Sequence, residues 1–350
     1  MEGLRKIQPY IPGEQVDYQR VIKLNTNEHA YLPSPKIKET LATFDLAKLQ
    51  RYSSVDNQAL CRVIAQNEGL EDEWITTANG SDDILALAFQ SFFQTKAPII
   101  FPDITYGFYP VWCELYQIPY QLLPLDDQFQ WDFTKIPQAI GGLVLTNPNA
   151  PTGKTVSKQA IIDLLERFPE QVIIVDEAYQ AFNEESVAPL VSKYPNLYVT
   201  RTLSKDHALA GLRVGYGIGS PRLTQVIKAV KNSYNPYAVD ALAEAVAITA
   251  LEDRAYYQKV NQQILHTRSW FSEQLTQLGF NTLESHTNFV LTTHPSHKAN
   301  ILYQQLKEHA IYVRYFDTPR LKDYLRISIG TQQEMEQVTT LLRKLTQKEI

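Results

Sequence analysis

Residues 172–179 read Val-Ile-Ile-Val-Asp-Glu-Ala-Tyr, and this stretch decides the fold class. Its first four residues are apolar without interruption, whereas a strand with one wet face would alternate apolar and polar residues. An uninterrupted apolar strand is typical of a parallel sheet that helices cover on both faces. Because the run ends on Asp176, we expect a carboxylate at the carboxyl end of a buried strand.

Short apolar runs of the same kind lie on either side of this stretch, with helical patterns between them. The predicted strands cover residues 75–78, 98–101, 120–123, 143–146, 172–176, 197–201 and 213–218, and the predicted helices cover 82–93, 108–116 and 158–167. This alternation predicts an α/β fold with a mostly parallel seven-stranded sheet between helices. Ligands bind to such sheets at the carboxyl ends of the strands.

The rest of the chain divides around this sheet. Short helices are predicted at 36–43 and 58–66, long helical patterns at 221–232 and 239–277, and a final α+β unit with strands at 287–292, 311–315 and 324–329 and helices at 297–309 and 331–347. We therefore predict an N-terminal arm at 1–30, a large domain at 31–238 and a small domain at 239–350. The small domain would begin with one long interdomain helix.

Size and composition exclude several classes of protein. The 350 residues are 44% hydrophobic and 20% charged, which is typical of a soluble globular protein. A net charge of −5 without a dense basic cluster argues against nucleic-acid binding. No apolar run is long enough for a membrane span or a signal peptide. Cys61 and Cys113 form no metal-ligand pattern, so we expect reduced thiols and a cytoplasmic protein.

Residues 201–216, Arg-Thr-Leu-Ser-Lys-Asp-His-Ala-Leu-Ala-Gly-Leu-Arg-Val-Gly-Tyr, carry the strongest chemical signal. Lys205 stands among small and apolar residues, and burial there would lower the pKa of its ammonium. A neutral lysine amine forms a Schiff base with an aldehyde, most often pyridoxal phosphate. On this stretch alone, the alternative that Lys205 and Arg213 are surface cations is equally compatible with the residues.

Two strand ends offer partners for such a cofactor. Asp176 could keep a pyridine nitrogen protonated, with Tyr179 three residues on, although an Asp at this point could also cap a helix. Residues 76–83, Thr-Thr-Ala-Asn-Gly-Ser-Asp-Asp, place amide groups at a helix start, which suits phosphate. Plain capping by Ser81 or Asp82 is the alternative there.

Two further loops follow predicted strands, and other patterns carry no chemistry. Residues 146–153 are dense in turn residues, and residues 102–109 offer an aromatic ring that could stack on a planar ligand, whereas Phe108 suits the core. The glycines at 215–219 lack the dinucleotide-binding spacing, and no phosphate-loop motif is present. His294 and His297 lack further ligands, so we predict no metal site.

Taken in order, these segments resemble the fold type I, pyridoxal-phosphate-dependent aminotransferases of class II over nearly the whole chain. The motifs that resemble one branch, the histidinol-phosphate aminotransferases, are Pro9-Tyr10 with Pro12-Gly13-Glu14, Leu24-Asn-Thr-Asn-Glu28, Arg51-Tyr52, Gly80-Ser81-Asp82, Arg201-Thr-Leu-Ser-Lys205 with Leu209-Ala-Gly-Leu-Arg213, and Ser233-Tyr-Asn-Pro-Tyr237. Their common order, rather than any one motif, carries the resemblance.

The resemblance implies a role for each candidate residue. Lys205 would be the Schiff-base lysine and proton shuttle, Asp176 would pair with the pyridine nitrogen, Tyr179 with the phenolic oxygen, and Tyr106 would stack on the ring. The cofactor phosphate would be held by Ser81, Asp82, Ser204, Arg213 and, from a neighbouring subunit, Tyr52. The substrate's anionic end would be bound by Arg326, Arg314 and Tyr10, with Asn25 lining the pocket.

The implied reaction is ping-pong transamination between histidinol phosphate and 2-oxoglutarate in histidine biosynthesis, giving imidazole-acetol phosphate and glutamate. A homodimer is implied, in which Tyr52 and Tyr10 would serve the partner's site. The alternatives are an aromatic-amino-acid aminotransferase or a threonine-phosphate decarboxylase on the same scaffold. A non-catalytic, aminotransferase-like sensor domain fits less well, because nearly every catalytic position is filled.

Two departures from the family pattern concern residues near the site. Many relatives carry Asn directly before Pro-Thr-Gly, where this chain has Ala150, so Asn149 or Asn147 would substitute or Tyr179 would act alone. Asp206 and His207 follow the lysine where many members carry Ala-Phe or Ser-Arg. An absent hydrogen bond at Ala150 would alter the pKa of the aldimine, whereas the acid and the imidazole after the lysine leave the fine substrate preference open.

Overall fold

A computed structural model describes residues 4–17, 20–183 and 185–347. The strands are β1 (Ile22–Lys23), β2 (Ile75–Ala78), β3 (Ile99–Pro102), β4 (Tyr120–Leu123), β5 (Gly142–Thr146), β6 (Ile173–Asp176), β7 (Leu197–Thr202), β8 (Gly215–Gly219), β9 (Asn281–Thr282), β10 (Phe289–Thr293), β11 (Ile311–Tyr312), β12 (Arg314–Tyr315) and β13 (Leu325–Ser328). The helices are α1 (Lys36–Ala42), α2 (Gln58–Glu68), α3 (Ser81–Phe92), α4 (Phe108–Tyr116), α5 (Lys158–Arg167), α6 (Leu203–Asp206), α7 (Pro221–Asn232), α8 (Ala241–Glu252), α9 (Arg254–Gln277), α10 (Ala299–Glu308) and α11 (Gln332–Thr346).

The larger sheet has seven strands in the order β2-β8-β7-β6-β5-β3-β4. Strand β8 runs antiparallel to both of its neighbours, and the other pairs are parallel. All strands except β8 therefore end at one edge of the sheet, where β8 begins. This geometry confirms the predicted mostly parallel sheet and collects the ends of β2, β5, β6 and β7 on one side.

Alternate residues of the central strands enter two different cores. Ile173 and Val175 of β6 pack with α2, α5 and α8, whereas Ile174 packs with α3, α4 and α7. All three side chains are fully buried, and each contributes about 2 kcal/mol through burial of its apolar surface. The uninterrupted apolar run is thus explained, because both faces of the sheet are covered.

A smaller, four-stranded antiparallel sheet has the order β12-β13-β10-β9 and packs against α9, α10 and α11. Strand β1 lies outside the seven-stranded sheet and pairs in parallel with β11, with Ile22 opposite Ile311. The end of the predicted arm is therefore held by the C-terminal part of the chain.

The predicted long helix over 239–277 is wrong, because it divides at Asp253 into α8 and α9. Asp253 has φ −92° and ψ 51°, outside the helical range. Its carboxylate accepts hydrogen bonds from the Ser34 hydroxyl and from the Lys36 ammonium, and these contacts hold the break. The predicted strand over 213–218 likewise begins late, at Gly215, because Arg213 has a left-handed φ of 57°.

Candidate active site

A cavity opens at the edge of the seven-stranded sheet where β5, β6 and β7 end. Its lining residues are Ser81, Asp82, Tyr106, Thr146, Ala150, Asp176, Ala178, Tyr179, Thr202, Ser204, Lys205 and Arg213. Most of the predicted site residues therefore meet in one place, at the strand ends where ligands bind in α/β sheets.

Lys205 lies on α6, a single helical turn directly after β7. Thr202 begins this turn, and its hydroxyl oxygen accepts a hydrogen bond from the Ser204 amide at 3.1 Å. The Lys205 Nζ donates to the carbonyl oxygen of Thr26 at 3.0 Å. Burial lowers the pKa of Lys205 to about 8, and the charge of Arg326 acts in the same direction. The amine is therefore far more available as a nucleophile than that of a surface lysine.

Asp176 is the last residue of β6, and its side chain is almost fully buried. The carboxylate accepts hydrogen bonds from the hydroxyls of Tyr109 and Thr200, each at 3.1 Å, and from the amide of Ala178 at 3.2 Å. Burial raises the pKa of Asp176 to about 6, and these hydrogen bonds oppose the shift. Such a carboxylate favours a cation placed against it. No helix begins here, so the capping alternative is wrong; the next short turn begins after Tyr179.

The start of α3 forms one wall of the cavity. Gly80 precedes the helix with φ 90°, and a Cβ there would lie 2.5 Å from the guanidinium of Arg213. A Cβ on Gly215 would lie 2.3 Å from the Gly80 carbonyl carbon and the Ser81 nitrogen. The first amides of α3 are therefore approached closely by backbone and by Arg213, in the manner of an anion site. Because Gly80 is the cap, the alternative of capping by Ser81 or Asp82 is wrong.

The Arg213 side chain connects α3 with the turn that carries Lys205. Its Nη1 donates to the Ser204 hydroxyl and its Nη2 to the Asp82 carboxylate, each at 3.4 Å. Asp82 also accepts a hydrogen bond of 2.6 Å from the Tyr106 hydroxyl, and burial raises the pKa of that phenol well above its usual value. The long distances and the half-exposed Arg213 leave the guanidinium able to bind a further anion.

Tyr10 lies against the aromatic residues of its own chain. Its ring stacks on Phe108 with a centroid distance of 4.3 Å and lies 6.2 Å from the ring of Tyr106. Aromatic stacking thus holds this part of the arm beside Tyr106 of its own cavity, and a role of Tyr10 toward a partner's site stays a prediction.

Arg326 and Asn25 carry polar atoms without partners. Within the described ranges, Arg326 makes no ion pair. Its Nη2 donates to the Asn25 carbonyl oxygen at 2.9 Å, whereas its buried Nε has no hydrogen-bond partner. Burial lowers the pKa of the Arg326 guanidinium. The Asn25 side chain donates to the Glu14 carbonyl at 2.9 Å, and its Oδ1 is buried without a partner among the residues described. Buried polar groups of this kind indicate a ligand that would satisfy them.

Arg314 lies opposite Arg326 on the neighbouring strand β12. Its guanidinium donates to the carbonyl oxygens of Pro12 at 3.2 Å and Ile11 at 3.3 Å, and it packs over the Phe316 ring. Arg314 thus ties the arm to the small sheet beside Arg326.

Two residues that were predicted to hold the cofactor, Tyr52 and Asn149, do not line this chain's cavity. Tyr52 is 82% exposed and stacks on Tyr237 with a centroid distance of 4.4 Å. The Asn149 amide nitrogen donates to the Ile104 carbonyl and the Thr152 hydroxyl, and its oxygen accepts from Thr105, so the group joins its own loop to the loop after β3. A contact of Asn149 with the cofactor stays a prediction.

Asn147 is similarly occupied by both backbone groups of Val156, and Ala150 lines the cavity at this point. The neighbours of the lysine also face elsewhere: the Asp206 carboxylate lies 2.7 Å from the His207 Nδ1, and the His207 ring packs on Tyr257 of α9. Neither residue lines the cavity.

Several residues around the cavity were missed at the level of sequence. Thr146 and Thr202 line it, Tyr109 and Thr200 hold Asp176, and Asn27 donates to the Tyr179 hydroxyl at 2.8 Å. Thr146 and Thr202 could have been predicted as site residues, because both stand at strand ends. Asn27 could not, because its contacts join segments that are far apart in sequence.

The described ranges offer neither a metal-binding cluster nor a membrane-spanning helix. They contain no group of three or more His, Cys, Asp or Glu residues that could hold a metal ion. None of the helices described is both long enough and apolar enough to span a bilayer.

The family model for aminotransferase class I and II matches residues 19–342. A histidinol-phosphate aminotransferase of Chromohalobacter salexigens is 43% identical over 340 residues, which cover 97% of each chain. A histidinol-phosphate aminotransferase 1 of Hydrogenovibrio crunogenus is 45% identical over 338 residues, which cover 97% of this chain and 94% of that one.

Solved structures have the same fold at low sequence identity. The histidinol-phosphate aminotransferase of Clostridium acetobutylicum has a TM-score of 0.85 at 24% identity, covering 94% of this chain and 100% of that one. The histidinol-phosphate aminotransferase of Sinorhizobium meliloti, solved in complex with pyridoxal-5'-phosphate, has a TM-score of 0.84 at 22% identity, covering 94% and 92%.

Proposed function

The chain belongs to the class I and II aminotransferases, and we propose that it is a histidinol-phosphate aminotransferase. Enzymes of this family use pyridoxal 5'-phosphate, and so does this one. The observation that carries the proposal is the meeting, in one cavity, of the Lys205 amine, the buried Asp176 carboxylate and the anion-binding start of α3. Relatives that are 43% and 45% identical over nearly their whole length support the assignment within the family.

The residues present fit this cofactor. Its phosphate would be held by the first amides of α3, by Ser204 and by Arg213, where glycine at positions 80 and 215 leaves the backbone open. Asp176, which favours a cation, would hold the pyridine nitrogen. When bound, the cofactor supplies an aldehyde for amines and a ring that takes up electrons from the substrate's α-carbon.

Lys205 has two tasks in the proposed reaction. Its Nζ, whose pKa is lowered by burial, would anchor the cofactor through the cofactor's aldehyde, and the same Nζ would act as the base that removes the proton from the substrate's α-carbon. The Thr26 carbonyl, which accepts the hydrogen bond of Nζ at 3.0 Å, keeps the amine turned toward the arm side of the cavity.

Arg326 would bind the anionic end of both substrates. A guanidinium with free donors suits the phosphate of histidinol phosphate and equally a carboxylate of 2-oxoglutarate. The two substrates bind in turn to one site, in a ping-pong cycle that yields imidazole-acetol phosphate and glutamate. Asn25, with its unpartnered Oδ1, would complete the pocket.

A homodimer is proposed from the surface around Tyr52. Large apolar side chains stand exposed in this stretch and against it, namely Leu46 at 72%, Leu49 at 61%, Tyr52 at 82% and its stacking partner Tyr237 at 39%. An exposed patch of this kind indicates a protein partner, and a second copy would bring Tyr52 to the neighbouring cavity. Sedimentation velocity at assay concentration tests this, and a fully active monomer would contradict it. The two free cysteines are both buried, in keeping with the cytoplasm as the proposed compartment.

The proposed function is tested by a substrate panel with 2-oxoglutarate as the amino acceptor. We expect kcat/KM for histidinol phosphate to exceed that for phenylalanine by about a hundredfold, because Arg326 would lack the phosphate in the latter complex. A higher kcat/KM for phenylalanine, or release of carbon dioxide from threonine phosphate, would refute the proposal.

A further inference from the structure

Asn27 connects the arm, the small sheet and the cavity. Its side chain is 2% exposed, and its φ of 55° lies in the left-handed region that Asn adopts more readily than most residues. Its Nδ2 lies 2.8 Å from the hydroxyl oxygen of Tyr179, which is itself buried and lines the cavity.

The orientation of the Asn27 amide follows from Ser328. The Ser328 hydroxyl oxygen accepts a hydrogen bond of 3.0 Å from the backbone amide of Asn27, so its own proton is donated to the Asn27 Oδ1, also at 3.0 Å. The oxygen of the side-chain amide is thereby assigned to Ser328, and the NH₂ group faces Tyr179. The Asn288 side chain holds the backbone carbonyl of Asn27 at 3.0 Å.

This orientation determines what the Tyr179 hydroxyl can do. An amide NH₂ group only donates, so the Tyr179 oxygen accepts from Asn27 and its own proton is directed to another partner. Tyr179 and Ala150 both line the cavity, and the Ala150 side chain has no polar group to offer there. The ionisable groups that face Tyr179 are Arg326 from β13, Asp176 from β6 and Tyr10 from the arm.

We propose that Asn27 is a positioning residue that keeps the Tyr179 hydroxyl as a hydrogen-bond donor toward the cofactor's phenolic oxygen, and that it thereby compensates for Ala150. The proposal rests on the proposed function, because it requires the cofactor in this cavity. Asn27 acts only through Tyr179 and does not itself touch the cofactor.

The decisive variant is Asn27→Asp, which keeps the size and the tolerance of left-handed φ but replaces the donor with an acceptor. The introduced carboxylate accepts the hydrogen bond of the Tyr179 hydroxyl. The hydroxyl is then no longer available as a donor to the phenolic oxygen of the cofactor. We expect the pH midpoint of the bound cofactor's visible absorbance to rise by about one unit. In the cofactor-free protein, the affinity for pyridoxal phosphate should fall about tenfold, as for the loss of one hydrogen bond to a charged group.

A double-mutant cycle with Tyr179→Phe separates positioning from general damage. If Asn27 acts through Tyr179, then Asn27→Asp adds no further shift in the Tyr179→Phe background. Equal shifts in both backgrounds, or an unchanged midpoint in the single variant, would overturn the proposal. If Asn27→Asp fails to fold, Ser328→Ala serves as the second variant, because it removes only the hydroxyl that orients the Asn27 side-chain amide. We expect it to shift the pH midpoint in the same direction. An unchanged midpoint in Ser328→Ala would also overturn the proposal.

Failure of the proposed function has a different signature. In that case the wild-type protein would bind no pyridoxal phosphate or would not turn over histidinol phosphate. The positioning role fails when the wild-type protein does both and the variants leave its midpoint unchanged.

Discussion

The proposed active site has two ends, the cavity itself and a neighbouring group of residues outside the cavity lining, and they differ in how completely their polar atoms are satisfied. At the cofactor end (Asp176, Ser204, Lys205 and Arg213), Asp176 accepts three hydrogen bonds and Lys205 donates to a carbonyl. At the substrate end (Asn25, Arg314 and Arg326), the Asn25 Oδ1 and the Arg326 Nε are buried without partners among the described residues. We infer that the cofactor end is preorganised for a ligand that stays bound, whereas the substrate end would be completed by each substrate in turn.

The largest expected effect comes from Lys205→Ala. Because the lysine supplies both the covalent anchor and the base, kcat should fall by at least about 10⁴-fold. The visible absorbance of the bound cofactor should change as well, and absorption spectra with stopped assays measure both. Lys259→Ala, on the exposed side of α9, is the matched control. An unchanged spectrum in Lys205→Ala would remove Lys205 from its assigned role.

The next effect concerns the pH dependence of stability in the cofactor-free protein. Burial raises the pKa of Asp176 from 3.8 to about 6, so between these values the folded state binds more protons than the unfolded state. The free energy of unfolding should therefore fall as the pH rises from about 4 to about 6, by about 3 kcal/mol from this residue. Urea unfolding at several pH values should show this decline weakened in Asp176→Asn and retained in the exposed control Asp163→Asn. Equal declines in wild type and Asp176→Asn would contradict the prediction.

Arg326→Lys sharpens the contrast between the two ends. The variant keeps a positive charge but loses the planar fork, so KM for histidinol phosphate and for 2-oxoglutarate should each rise about thirtyfold. The dissociation constant of pyridoxal phosphate should stay within about twofold, since the cofactor end is unchanged. Steady-state kinetics and equilibrium dialysis test the pair of expectations. A KM increase for only one substrate would argue against a shared anion site.

The smallest expected effect is that of Ala150→Asn. The added amide would give the cofactor end a second donor beside Tyr179, so pyridoxal phosphate should bind about threefold more tightly. Fluorescence titration of the cofactor-free protein measures this, with Asn147→Ala as a control for damage to the same loop. Weaker binding in Ala150→Asn would indicate that the loop has no room for the amide.

Local patterns were sufficient to predict the sheet and the cofactor end. The apolar strands and the residues at their ends, such as Asp176 and the Ser204–Lys205 pair, are neighbours in sequence as well as in space. The assigned roles of these residues remain predictions, because only their positions are described.

What could not be predicted depends on contacts between distant segments. The helix break at Asp253 is held by Ser34 and Lys36, more than 200 residues away in the chain. The link from Asn27 to Tyr179 and Ser328 joins three separate parts of the sequence. No periodicity or turn signal encodes such pairings, since they arise only when the elements are packed.

The reversed strand β8 has a consequence for the order of folding. Strand β2 has β8 as its hydrogen-bonded neighbour in the sheet, and their register pairs Ala78 with Gly215. The chain must therefore close a loop of about 140 residues before the start of α3 meets Arg213, and pairings of such separation form slowly. During synthesis the start of α3 cannot meet Arg213 and β8 until residue 219 has been added, so we expect a nascent chain that ends before residue 219 to bind no cofactor.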